Sequence, residues 1–245
     1  MTGAAEQCVE RYIELAKIDK TTLKKVTTPC IDDHIIAAED FVAKGELSEV
    51  ASRIVLKALY LARLGRPDLL WSVNTLAREV TKWTVACDKR LHRLMSYIHH
   101  TADHFLTSFV GDNPSECYLA KFCDASFAGD LKDSKSTSGE LLCLVGNNTF
   151  CPISWMCKKL GAVSHSSTEA EIISLEAGIR MEGLPALAFW DLVIDVFEPE
   201  KETKQKDVKS KKDESKTKDM FQDIDFVPQN LDKKSTRRAK LLILE

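Results

Sequence analysis

Two carboxylates sit where residue type and spacing could support chemistry. Asp124 follows the apolar run Tyr118-Leu119-Ala120-Lys121-Phe122-Cys123 and precedes Ala125-Ser126-Phe127-Ala128-Gly129-Asp130. Glu171 lies one turn into a helix that opens Ser166-Ser167-Thr168-Glu169, where its carboxylate can face inward while Glu169 caps or meets solvent. Carboxylates that converge from a strand end and a helix start are what metal-dependent phosphodiester cleavage requires. Two divalent cations about 4 Å apart must be held with positions open for water and phosphate. Each acid also has a plain structural reading. An Asp after a strand is commonly a turn residue, and a Glu at a helix start commonly complements the helix dipole. Asp223, Asp225 and Glu245 are weaker candidates, read as surface acids.

The elements that must position these acids change period along the chain. Residues 8–16 carry Val9, Tyr12, Ile13 and Ala16 on one helical face. Between 48 and 100, helical spacing recurs three times, through Val50, Ile54, Ala58 and Leu61, then Val73, Leu76, Ala77 and Val80, then Leu91, Leu94, Met95 and Ile98. Gly65-Arg66-Pro67-Asp68 supplies a helix end and a proline start between the first two. Strands are then expected at 105–110, 118–123, 140–145 and 150–156, separated by turn-rich Gly111-Asp112-Asn113-Pro114, Ser136-Thr137-Ser138-Gly139 and Gly146-Asn147-Asn148. This predicts an antiparallel meander. A long helix follows to about Arg180, a break at Gly183 and Pro185, and a second helix to Phe197. Residues 199–219 interleave eight lysines with acids and read as a flexible insertion rather than a nucleic-acid-binding arm. The fold class is α/β.

Composition bounds the rest. At 245 residues, 44% hydrophobic and 29% charged, the chain can bury a sizeable core. A net charge of -3 gives no global basic field, so contacts with nucleic acid must rest on local Lys and Arg. Candidates are Lys158, Lys159, Arg180, Lys89, Arg90 and Arg93, each of which also fits a solvated helix or strand face. Eight cysteines without a C-x-x-C pair read as reduced thiols of an intracellular protein, cytoplasmic or nuclear. Trp71, Trp83, Trp155 and Trp190 read as packing residues rather than base-stacking platforms. The histidines form no nucleophile or metal pattern. No apolar run approaches the roughly 18 residues that span a bilayer.

The ordered motifs Asp124 to Asp130, Ser136 to Gly139, Pro152-Ile153-Ser154-Trp155-Met156-Cys157-Lys158-Lys159 and Ser166 to Glu171 resemble the ribonuclease H domain of copia-type retrotransposon Pol polyproteins. Upstream, Ala58-Leu59-Tyr60-Leu61-Ala62-Arg63, Arg66-Pro67-Asp68-Leu69 and Lys89-Arg90-Leu91 resemble the end of the reverse transcriptase that precedes it. The resemblance implies a helical reverse-transcriptase segment over 47–104 behind an N-terminal segment, 1–46, of unassigned structure. It implies a ribonuclease H-like mixed sheet with helices over 105–198, the insertion at 199–220, and the next strand at 221–245. It further implies Asp124 and Glu171 as ligands of Mg²⁺ or Mn²⁺, an RNA:DNA hybrid as substrate, and the remainder of a Pol polyprotein as partner. The sequence departs at Ser126, where the family has a second Asp, and Leu241-Leu242-Ile243-Leu244-Glu245 resembles the strand before the family's third acid. The domain is therefore expected to be incomplete at its C-terminus and to turn over little. The alternatives are a non-catalytic nucleic-acid-binding module and an unstable product of a decayed element.

Overall fold

The computed structural model describes residues 3–129, 133–199 and 238–244. Asp223, Asp225, Glu245 and the insertion expected from 199 onward, apart from residue 199 itself, lie outside them. Four helices come first: α1 (Ala4–Ala16), α2 (Ala51–Leu64), α3 (Leu70–Arg78) and α4 (Val85–His100). Each buries most of the stripe that the periodicity predicts, although Val50 caps α2 and Val80 lies past α3 in a 3₁₀ turn, both partly buried. Ile54, Val55, Ala58, Leu69, Val73, Leu91, Leu94, Met95 and Ile98 share one core, which Cys8, Val9 and Tyr12 of α1 complete. Pro67 and Asp68 begin a short 3₁₀ turn that leads into α3. Arg66 anchors that corner, with one nitrogen on the Thr101 carbonyl at 2.7 Å and another on Asp68 at 2.8 Å.

The sheet follows as β1 (Phe109–Val110), β2 (Tyr118–Ser126), β3 (Thr137–Gly146) and β4 (Thr149–Lys159), with β5 (Leu241–Leu244) added later. Its order is β1-β4-β3-β2-β5, antiparallel except for the parallel β2–β5 pair. The meander is the expected one, but the first strand shrinks from six residues to Phe109–Val110. Further pairing of β1 would set it against Pro152 of β4, which has no N–H to donate. The same proline sits at an irregularity in the β3–β4 ladder at Leu142/Cys143. Helices α5 (Ser167–Gly178) and α6 (Leu184–Phe197) cover one face. No break separates them: a five-residue π turn, Ile179–Gly183, joins them with helical backbone throughout. The widened turn accommodates Pro185 where a regular helix would clash with its ring.

The opposite face packs on the helical half. Trp155 of β4 donates its indole N–H to the Ala62 carbonyl at 2.9 Å, and Asn74 of α3 donates to the Cys157 carbonyl at 2.8 Å. Both side chains from β4 join the helical core. All eight cysteines are free, and burial pushes the Cys8 thiol up to about 12. Among the described residues no helix is long and apolar enough to cross a membrane.

A buried ion cluster lies on the face of the sheet that α5 and the π turn cover. Lys121 of β2 is fully buried, with Glu140 of β3 at 2.7 Å and Glu182 of the π turn as its ion partners. Glu182 also accepts from Ser154 of β4 at 2.9 Å, and Glu140 from Ser138 at 3.2 Å. Burial by itself lowers a lysine pKa, but the hydrogen bonds and charges of the two glutamates outweigh it and hold the ammonium above its ordinary value. The contribution of Lys121 is therefore complete below the ordinary lysine pKa and is lost as pH climbs through the raised one. Lys121→Ala leaves two carboxylates facing each other, and we expect it to cost about 3–5 kcal/mol in urea unfolding. A loss under about 1 kcal/mol would show that the cluster is solvated.

Candidate functional site

Asp124 is not a turn residue: it lies inside β2, paired with Gly139. Strand alternation sends Lys121, Cys123 and Ala125 towards α5, where they are buried, and sends Asp124 and Ser126 to the other face, where they are exposed. The close approach of α5 is set by Gly178, where an added Cβ would lie 2.8 Å from the Cys123 sulfur and 2.9 Å from a Glu140 oxygen. One turn earlier, the buried Ser174 hydroxyl donates to the Asp124 carbonyl at 3.1 Å and meets Ser138. Beyond Phe122 no described strand flanks the outer edge of β2, since β5 pairs only with residues 119–122.

Glu171 lies one turn before Ser174 on the same side of α5 and is half-buried. Ser166 is the cap, its hydroxyl accepting from the Glu169 amide at 3.1 Å, and Glu169 reaches back to accept from the His165 amide at 2.6 Å. The carboxylates of Asp124 and Glu171 thus flank the open end of β2 from opposite faces. Among the described residues no group of three His, Cys, Asp or Glu side chains could hold a metal ion. Two divalent cations need several carboxylates on a common point. On opposite faces of β2, these two carboxylates do not by themselves make a two-metal centre.

The face that carries Asp124 looks into a cleft between the sheet and α3. Its walls are Pro67, Leu70, Trp71, Leu106, Phe150 and Trp155, its floor includes Thr137 and Gly139, and its volume is about 480 Å³. A second cavity of about 290 Å³ shares Trp71, Ser126 and Thr137 with it and reaches Arg78 and Arg90. Trp71, which the spacing assigns to packing, is 44% exposed on the rim. Its position is invisible to spacing because the sheet wall opposite comes from residues far along the chain.

Most of the expected cationic contacts are engaged within the chain. Lys89 pairs with Asp40, Arg90 with Asp33 at 2.6 Å, and Arg93 donates to the Thr28 carbonyl and hydroxyl at 3.0 Å. Arg90 also stacks over Phe41. These three side chains fasten the segment 28–41, with its two 3₁₀ turns at Asp33–Ile35 and Ala38–Phe41, to α4. Arg180 pairs with Glu176 at 2.6 Å, and Lys159 with Asp133 at 2.7 Å. Lys158 is exposed at the open end of the sheet, opposite Ser138.

No protein-family model matches the chain, and no solved structure matches it. Curated relatives do. The chain is 34% identical over 161 residues to the retrovirus-related Pol polyprotein from transposon RE2 of Arabidopsis thaliana, covering 66% of this chain and 10% of that protein. It is 34% identical over 167 residues to that from transposon RE1 of the same plant, covering 67% and 11%. It is 29% identical over 191 residues to that from transposon TNT 1-94 of Nicotiana tabacum, covering 70% and 13%. The chain spans about a tenth of the length of these relatives. The matches cover about two thirds of it, and it belongs to the copia-type, retrovirus-related Pol polyproteins of transposons.

Proposed function

We propose that this chain is the part of a transposon Pol polyprotein where the end of a reverse transcriptase runs into a ribonuclease H-like unit, and that it holds RNA:DNA hybrids without cutting them. The observation that carries this reading is the placement of Asp124 and Glu171 on opposite faces of β2, beside a cleft that gathers Trp71, Ser126 and Thr137. An indole on a cleft rim offers a stacking surface for an end or unpaired nucleotide. The hydroxyls of Ser126 and Thr137 in the cleft, and the exposed Lys158 ammonium on the α5 face of the same open sheet end, offer contacts to phosphate and sugar that need no sequence match. Mg²⁺ or Mn²⁺ would meet one carboxylate at a time and be held weakly, so no cleavage step is assigned to the pair.

Two measurements test the reading. In fluorescence anisotropy with a labelled hybrid, affinity falls linearly with salt on logarithmic axes. Lys158→Ala lowers that slope by about 1, while Trp71→Ala weakens binding by about 1–3 kcal/mol with the slope unchanged. Hybrid that fails to bind at low salt would sink the proposal. In a cleavage assay with Mg²⁺ or Mn²⁺ we expect no product, and Asp124→Asn and Glu171→Gln should bind hybrid as the parent chain does. Cleavage that both substitutions abolish would instead show a working hydrolase with a ligand set completed elsewhere.

A further inference from the structure

Helix α2 is buried on one side and shows solvent a second apolar stripe on the other. Ala51, Ile54, Val55, Ala58, Leu61 and Ala62 enter the core, where α1 and α3 pack on the helix. Away from them stand Leu56, Tyr60 and Leu64, each between 51% and 60% exposed. Arg53 and Arg63 are exposed beside them, and Lys57 is half-buried. At 3.6 residues per turn these six side chains fall within one arc of about 120°. Ala51–Leu64 contains no Asp or Glu, and none of its three cations makes an ion pair among the described residues. The face is therefore apolar along its middle and positive at both edges. At its C-terminal end it runs into a groove of about 850 Å³ walled by Leu61, Leu64, Phe105, Leu106, Ile153 and Trp155. The groove's own charges, Glu6, Asp103, Arg66 and His104, are of mixed sign, so the positive sign of the surface comes from α2.

We propose that this face docks an acidic amphipathic helix of a partner protein, whose carboxylates meet Arg53, Lys57 and Arg63 and whose large apolar side chain enters the groove. The spacing suits a helix, because Arg53, Leu56, Tyr60 and Arg63 recur at steps of three, four and three, the seam along which one helix lies on another. The charge sets the sign of the partner, since three cations without an acid among them need carboxylates opposite. A second copy is excluded on the same ground: two such faces would set like charges against each other. A flat bilayer would leave the groove unfilled, and a phosphate backbone has nothing to set against Leu56 and Leu64. A face of 14 residues is small for a permanent complex and suits a reversible one.

Fluorescence anisotropy of the full chain with three labelled peptides, each three heptads long, tests this. The first carries Leu at the a and d positions and Glu at e and g, the second has Lys in place of those Glu, and the third scrambles the order of the first. The first should bind with a Kd of about 1–100 μM, and the other two at least about tenfold more weakly. Arg53→Glu and Tyr60→Ser should each weaken the first peptide at least about tenfold, with an unchanged circular dichroism spectrum because both side chains are exposed. Phe189→Ser, at an exposed apolar residue of α6, should bind it as the parent chain does. No binding of the first peptide, equal binding of all three, or Arg53 and Tyr60 variants that bind as the parent does would each overturn the proposal. So would a larger loss on Arg53→Glu for an RNA:DNA hybrid or for anionic phospholipid vesicles than for the peptide, since the face would then belong to nucleic acid or lipid.

Discussion

The ammonium of Lys121 is the contact on which the rest of the arrangement depends. It sits on β2, between β3 and β5, and is held by one acid from β3 and one from the turn between α5 and α6, the second of which also takes a hydroxyl from β4. Three strands and the helix pair are therefore tied to one point. Replacing such a cluster with apolar residues is often neutral, so its value here is in specifying one register. A one-residue slip of β2 would turn Lys121 into the cleft and leave two buried carboxylates without a cation. Asp124 and Glu171 inherit their positions from this lock, because Ser174 and Gly178 fix α5 to the same strand.

The cleft depends on a second contact. Trp155 and Cys157 leave β4 on the face opposite α5 and enter the helical core, so the helices of the first half and the sheet share packing. That sharing places Trp71 of α3 across from Asp124. Neither half makes the cleft alone.

The sequence carries the helices of the first half clearly, since Ile54, Ala58 and Leu61 or Leu91, Leu94 and Ile98 recur at a period that only a helix satisfies. Turn-rich Gly146-Asn147-Asn148 likewise marks the β3–β4 hairpin. The site is less legible. The run from Tyr118 to Cys123 does not alternate cleanly, so the face taken by Asp124 cannot be read from it, and a lysine within it suggests solvent rather than the core. The partners of Lys121 lie on other elements, and long-range pairs leave no periodic trace. The π turn is equally hidden, because Gly183 and Pro185 signal a break wherever the backbone has not widened to admit them.

Under the proposed function, the helical half and the open end of the sheet form one cleft that faces nucleic acid. Hydroxyl-radical footprinting with and without a bound RNA:DNA hybrid tests it most directly, since it reads side-chain access residue by residue. Bound hybrid is expected to protect Trp71 on α3 and the β2–β3 end around Ser126 and Thr137 together, and to leave Phe189 and Leu192 of α6 unchanged. Protection confined to one wall, or found on neither, would contradict it.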